Sequence, residues 1–135
     1  DKVQLDGVLK ADGGIPDSYS GGGSGGGIFV CAPRLAGSKT ALMSADGGRA
    51  GLGQGGPGGG GRILVAVGLT SLEREKLLDG MPAGKLSSGR SSYLGGMTVE
   101  PSRIGPDYTG EEWRAPLPGS ALFCASSAGI LLMVQ

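Results

Sequence analysis

Short apolar runs separated by glycine and proline dominate the pattern along this chain. Four such runs occupy residues 28–31, 63–67, 121–124 and 130–134, and a shorter one stands at Val8-Leu9. Each run has the length of a strand and lies close to a glycine or proline, residues that end strands and open turns. The pattern predicts a protein built mostly from β-strands.

One segment has the pattern of a helix instead. In GLTSLEREKLLDG, residues 68–80, Thr70 is followed three residues later by Glu73, which is the spacing of a capping box. Gly80 suits the C-terminal end of a helix. We therefore predict one short helix near 70–79.

Two stretches of the chain are similar to one another. LKADGGIPDSYSGGGSGGGIFV (residues 9–30) and LMSADGGRAGLGQGGPGGGGRILV (residues 42–65) both run from an apolar residue through Ala-Asp-Gly-Gly and a glycine block to an apolar run. The Ala-Asp pairs align at an offset of 34 residues, and Ile28 aligns with Ile63 at an offset of 35. A degraded third copy begins at residues 96–99 and ends at residues 119–124.

Such a repeat predicts stacked units that bury a shared apolar face. The expected fold is all-β, a glycine-rich β-solenoid or sandwich-like repeat with extended polyglycine segments. The glycine blocks are expected to pack closely in polyproline-II geometry, where a Cβ would not fit, although a flexible linker is the alternative. Within one domain, residues 1–135, we place unit 1 at about 5–38, unit 2 at about 39–68, a helix and loop insertion at 69–95, and the degraded unit at 96–135.

The composition is compatible with an ordered protein and excludes two classes of partner. The 30 glycines and 8 prolines among 135 residues are in the range where disorder has to be considered, but disordered chains usually lack the apolar runs seen here. The net charge is zero, which gives no broad electrostatic case for nucleic acid or an anionic membrane. No window approaches the roughly 18 apolar residues of a membrane span. We expect no nucleic-acid partner and no membrane insertion.

Two matches to motifs of catalysis and cofactor binding lack the flanking residues that those motifs require. Ser24 lies in a G-x-S-x-G match, but it stands between glycine triplets and the chain contains no histidine to act as its base. GLGQGG, residues 51–56, is followed by Pro57 and further glycines rather than by the helix of a dinucleotide site. We expect no enzyme, no cofactor and no metal, and we interpret Asp12 and Asp46 as solvated turn residues.

The only two cysteines each end an apolar run, IFVC at Cys31 and ALFC at Cys124. A bond between them would stabilise the fold by about 4 to 5 kcal/mol in the chain-entropy model, and it fits an oxidising, extracellular setting. The alternative is a pair of buried thiols that behave as small apolar residues. We predict the disulfide.

The C-terminal segment AGILLMVQ is a strand of the domain or an edge offered to another subunit. No charged residue between 115 and 135 opposes such pairing, and open edges readily add strands. We predict an assembly edge at Ile130, Leu131, Leu132, Met133 and Val134, with copies of the same chain as partners.

The glycine-rich pieces carry a resemblance. ADGG…GGGSGGGIFV and SADGG…GGPGGGGRILVAVG resemble the repeats ISANGG…GGGSGGSI…GGGGGGRIAI of large secreted surface proteins from environmental bacteria, including planctomycete and verrucomicrobial groups. YLGGMTVEPS, residues 93–102, is similar to the strand that follows the helix in those proteins. The resemblance implies an extended, β-rich extracellular architecture without enzymatic residues, although Asp here replaces the Asn of those repeats.

Two functions are therefore expected from the sequence. The first is an extracellular or cell-surface structural protein that self-associates through strand edges into a filament, sheath or stalk. The alternative is a carbohydrate- or receptor-binding adhesin module of the phage tail-tip or cell-surface type. In that module, Tyr93, Tyr108 and Trp113 would contact a glycan, because aromatic faces suit sugar rings.

Overall fold

The computed structural model describes residues 1–17, 19–51, 55–79, 91–102 and 116–125. Strands are the main regular element of these residues and one helix accompanies them, in keeping with the predicted all-β class. The elements are β1 (Val3–Leu5), β2 (Val8–Lys10), β3 (Gly27–Ala32), β4 (Leu35–Gly37), β5 (Leu42–Ser44), β6 (Arg62–Val67), α1 (Ser71–Leu78), β7 (Ser91–Tyr93), β8 (Gly96–Thr98) and β9 (Ser120–Ala125).

These strands form small parallel sheets of three strands each. The strand orders are β1-β4-β7, β2-β5-β8 and β3-β6-β9. The chain thus visits the three sheets in the same order three times. We call β1–β3 layer one, β4–β6 layer two and β7–β9 layer three; none of the sheets closes on itself.

The pairing of the strands agrees with the alignment of the sequence. Ile28 pairs with Ile63, and Ile63 pairs with Ala121 on the other side of β6. Leu42 pairs with Gly96, the residue at which the degraded third copy was placed. Residues matched by similarity therefore lie side by side on neighbouring strands.

The apolar core lies between the sheets, and layer two supplies its most deeply buried side chains. Partly buried residues of layers one and three, such as Leu5 and Met97, pack against it. Burying one such aliphatic side chain contributes about 1.5–3 kcal/mol. The fully buried large side chains all belong to layer two, which has a neighbouring layer on each side: Leu35, Met43, Ile63, Val65 and Val67.

The helix begins at the predicted capping box. The Thr70 backbone N–H donates to Glu73 Oε2 at 2.7 Å, and the Glu73 N–H donates to Thr70 Oγ1 at 3.3 Å. The two residues thus satisfy donors that the first turn of a helix leaves unpaired. The predicted short helix is confirmed at Ser71–Leu78, and its predicted stop, Gly80, lies outside the described residues.

Extended segments connect the second strand of each layer to the third, and those of layers one and two are rich in glycine. They pack into two columns, which we call the glycine-rich columns. The first column holds residues 11–14, 45–48 and 99–102, and the second holds residues 21–26, 55–61 and 116–119. The middle segment of the second column, 55–61, hydrogen-bonds to four other segments, whereas a strand inside a sheet has only two neighbours. Those bonds are Gly22 N–H to Gly56 O, Gly58 N–H to Gly48 O, Gly60 N–H to Leu117 O and Ser102 N–H to Gly58 O, at 2.9–3.0 Å.

The spacing of these bonds explains how one segment reaches so many neighbours. Segment 55–61 donates to the first column from Gly58 and again three residues later from Gly61. Three residues per turn is the period of a polyproline-II helix, which directs successive backbone groups to different sides.

Close approach of these backbones excludes side chains at most inward-facing positions. A Cβ added to Gly61 would overlap the carbonyl oxygen of Gly26, and one added to Gly58 would overlap that of Gly23. The prediction that the blocks pack where no Cβ fits is confirmed, and the flexible-linker alternative is not.

Candidate functional site

The main cluster of interacting polar side chains in the described residues lies where the sheet β2-β5-β8 leads into the first glycine-rich column. Lys10, Ser44 and Thr98 occupy one register position across the three strands. Asp12 and Asp46 follow two residues after Lys10 and Ser44 along the chain. Strand pairing therefore brings together groups that are 32 to 54 residues apart in sequence.

Each aspartate holds the backbone of the next layer. Asp12 Oδ1 accepts the backbone N–H of Asp46 at 3.0 Å, and Asp46 Oδ1 accepts that of Glu100 at 2.8 Å. The two contacts repeat the same geometry from layer one to layer two and from layer two to layer three. We call this series, Asp12, Asp46 and Glu100, the carboxylate ladder.

Hydroxyl groups fill the remaining acceptor positions of the ladder. Ser44 Oγ donates to Asp12 Oδ1 and lies 3.3 Å from Asp46 Oδ2. Thr98 Oγ1 donates to Asp46 Oδ2 at 3.1 Å. Every carboxylate that has a layer above it thus accepts one backbone N–H and at least one hydroxyl from that layer.

Lys10 completes the cluster at the layer-one end. Its Nζ lies 2.8 Å from Asp12 Oδ2. Burial disfavours the ionised form of Asp12, but the hydrogen bonds from Lys10, Ser44 and the Asp46 N–H outweigh it, so the pKa of Asp12 lies below its ordinary value. The hydrogen bond to Asp12 and the attraction of its charge raise the pKa of Lys10.

The geometry favours a structural role over a chemical one for this cluster. Ser44 is only 3% exposed, so a substrate would not reach its hydroxyl, and its proton is already shared with carboxylates. Within the described parts of the chain, no three His, Cys, Asp or Glu residues are grouped so that they could hold a metal ion. What the cluster does in this structure is to connect one layer to the next.

The structure gives the two aspartates a role that the sequence did not predict. Asp12 is exposed and Asp46 is half-buried, and both also make hydrogen bonds between layers. The signal that could have identified them is their equal place in the two Ala-Asp-Gly-Gly motifs. Strand β2, before the first motif, pairs with β5, before the second motif, so the equivalent residues of the two motifs lie close together.

The predicted disulfide between Cys31 and Cys124 is not formed. Cys31 is an exposed free thiol. Both cysteines pair with Ala66, one from each side, so strand β6 separates them. Neighbouring strands are about 4.8 Å apart, which puts the two Cα atoms about 9–10 Å apart, beyond the range of about 4.4–6.8 Å for a disulfide. The argument for an oxidising setting therefore loses this support.

Tyr93 is placed in a packing role. Its ring is half-buried against the core, and its hydroxyl donates to the Gly96 carbonyl at 3.0 Å. Burial raises the pKa of this hydroxyl. The other two predicted ligand contacts, Tyr108 and Trp113, lie outside the described residues, as does the predicted assembly edge 130–134. Glycan binding and that edge stay predictions.

No family model, no curated protein and no solved structure matches the chain. Among the residues that the structure describes, no helix combines the length and the apolar character needed to cross a bilayer.

Proposed function

We propose that this chain is an extracellular structural protein, a glycine-rich β-solenoid that self-associates through strand edges into a filament, sheath or stalk. In this proposal the three layers are coils of one solenoid, and each coil passes once through the three sheets. The resemblance to repeats of secreted surface proteins supports the extracellular setting.

The observation that carries the proposal is the open edge of layer one. Leu9 is 40% exposed, whereas Met43, its partner in layer two, is 0% exposed. Val3 is 43% exposed, whereas its partner Leu35 is 1% exposed. In the described residues these core positions of layer one have a covering layer on one side only. Covering the other side would remove apolar surface from water, which favours association.

The backbone of the same edge is also suited to association. Within the part of the chain that the structure describes, strands β1, β2 and β3 each pair with one neighbour, β4, β5 and β6 respectively. An edge strand presents unpaired N–H and C=O groups on its outer side, and these pair readily with another chain. Lys10 and Asp12 place charges at one point of the edge, so the edge does not favour pairing equally along its whole length.

The interior supports a structural role as well. The ladder carboxylates that have a next layer bind groups of that layer, and the glycine-rich columns pack at backbone contact distance. Such an interior holds layers at a fixed spacing, which is the property that a stalk or filament requires.

The test is self-association of the purified chain, measured by sedimentation velocity over a wide concentration range and viewed by electron microscopy. We expect linear assemblies from the native chain and a shift toward monomer for Val8→Lys, because Val8 is an exposed edge residue and a lysine on an edge opposes strand addition. Leu72→Lys, on the exposed surface of α1, is the matched control and should assemble like the native chain. A native chain that stays monomeric at every concentration would refute the proposal.

A further inference from the structure

The carboxylate ladder has a direction, and its two ends differ. Each carboxylate accepts an N–H from the layer that follows, from Asp12 to Asp46 and from Asp46 to Glu100. The end at layer three is Glu100, an exposed residue. The end at layer one carries the ammonium group of Lys10, whose side chain is 63% exposed.

The ladder therefore ends in an exposed ammonium group, ion-paired with Asp12, at layer one and in the exposed residue Glu100 at layer three. Lys10 shares its register position with Ser44 and Thr98, and Glu100 stands two residues after Thr98. If layer one of a second copy paired with layer three in the same register, its Lys10 would lie beside Thr98. Lys10 would then stand to Glu100 of the other copy as Ser44 stands to Asp12 and as Thr98 stands to Asp46, and both of those pairs are hydrogen-bonded through their side chains.

The other arrangement would not continue the stack. If two layer-one edges paired with each other, a twofold axis would relate the copies, so their chains would run in opposite senses and could not continue the parallel pairing found in all three described sheets. A contact between unlike ends continues that pairing and places Lys10 beside Glu100, and opposite charges on neighbouring strands stabilise pairing.

A row of apolar side chains also runs through the three layers and could continue into a second copy. Leu9, Met43 and Met97 form one row through the three layers. Leu9 and Met97, the ends of the row, are both partly exposed, whereas Met43 between them is fully buried. Bringing layer one of one copy onto layer three of another would extend the row and cover both ends.

We propose that the partner in self-association is a second copy of this chain bound head to tail, with layer one of one copy stacked on layer three of the other and Lys10 paired with Glu100 across the contact. This inference rests on the proposed function, since it specifies the faces through which the chain associates. The stack preserves the parallel register found between layers within the chain.

A charge-swap experiment tests the pairing through the critical concentration for assembly. Lys10→Glu alone and Glu100→Lys alone each place like charges at every contact, and each should raise the critical concentration about tenfold. An equimolar mixture of the two variants should recover assembly, because every contact between alternating copies then joins an acidic side chain to a basic one. Lys39→Glu and Glu75→Lys, the same changes at exposed residues away from the ladder, should leave the critical concentration unchanged.

A second measurement uses the native chain, because Lys10→Glu also removes the ion pair with Asp12 and could impair folding. Zero-length carbodiimide cross-linking of a mixture of ¹⁵N-labelled and unlabelled chains should give Lys10–Glu100 cross-linked peptides of mixed isotope content. Such peptides support the head-to-tail contact whatever the fate of the variants.

The outcomes distinguish failure of the head-to-tail contact from failure of the proposed self-association. Assembly that proceeds without mixed-isotope Lys10–Glu100 peptides, and that Glu100→Lys leaves unchanged, would overturn the head-to-tail contact and leave self-association standing. A native chain that does not assemble at any concentration would overturn both.

Discussion

Gly61→Ala tests the packing of the glycine-rich columns most directly. Gly61 is buried at the centre of the bundle, where its N–H donates to Ala45 O at 2.7 Å and its carbonyl accepts from Ser120 N–H at 3.0 Å. A methyl group at this position would overlap the carbonyl oxygen of Gly26. Because the overlapping atom is backbone, no side-chain rotation relieves the contact, and a whole segment has to move.

The expected loss can be worked out from its parts. Overpacking a close-packed interior costs about 1–3 kcal/mol. Displacing Gly26 also weakens the bond from Arg62 N–H to Gly26 O, now 2.9 Å, which contributes about 1 kcal/mol. The lower entropy of the unfolded alanine chain returns about 0.4–1 kcal/mol. Together these parts lower the free energy of unfolding by about 1–3.6 kcal/mol, with a central value of about 2 kcal/mol.

Gly14→Ala is the matched control, because it makes the same change in the same bundle at a position where no atom lies within 4 Å of the added Cβ. There only the unfolded-state effect remains, so stability should be unchanged or higher by up to about 1 kcal/mol. Urea unfolding followed by circular dichroism measures both variants, and thermal melting should show Gly61→Ala lower by about 10 °C. Equal stability of the two variants would refute the close packing of the columns.

Three further predictions concern single groups. The pKa of Asp12 is lowered in the folded chain, so its ladder contacts contribute stability above the unfolded value near 3.8 and lose it as pH falls through the lower folded pKa; urea titrations at pH 6 and pH 3 should show this loss, and Asp12→Asn should reduce it. Tyr93→Phe removes the bond to Gly96 and should lower the free energy of unfolding by about 1 kcal/mol, whereas an unchanged value would contradict that bond's contribution. Cys31→Ser, and reductant added to the native chain, should leave the melting temperature unchanged, since Cys31 is a free thiol; a drop on reduction would show a disulfide in solution.

Elements with a strong local signal could be predicted from the sequence. The apolar runs at 28–31 and 63–67 lie within β3 and β6, and the Thr70–Glu73 pair opens α1. The alignment of Ile28 with Ile63 also agrees with the pairing of these two residues on the neighbouring strands β3 and β6.

Short strands with weak local signals could not be predicted. Leu-Ala-Gly in β4 and Ser-Ser-Tyr in β7 have neither the length nor the composition that marks a strand. They are strands because β1 and β4 provide a template at a distance of 32 to 56 residues along the chain. Their conformation is a tertiary effect.

The contacts of the candidate site and the separation of the two cysteines are both set by pairing between strands that are far apart in sequence. Nothing near Asp46 in sequence shows that its carboxylate binds the N–H of Glu100, 54 residues away. The two cysteines each end an apolar run, and only the strand order shows that β6 lies between them. Similar local patterns give a bonded pair in one strand order and a separated pair in another.

The concentration of fully buried side chains in layer two has a consequence for the size of a stable unit. Of the three layers in the described residues, two are terminal and one is interior, so a chain with one layer fewer would have two terminal layers and no interior at all. A chain with one layer more would double its interior while keeping the same two ends. In the described residues strand pairing joins each layer to the next one only, so if the proposed solenoid is correct, stability should rise by nearly equal steps with each added layer once three are present. The number of layers in such a chain thus determines the stability of its interior layers.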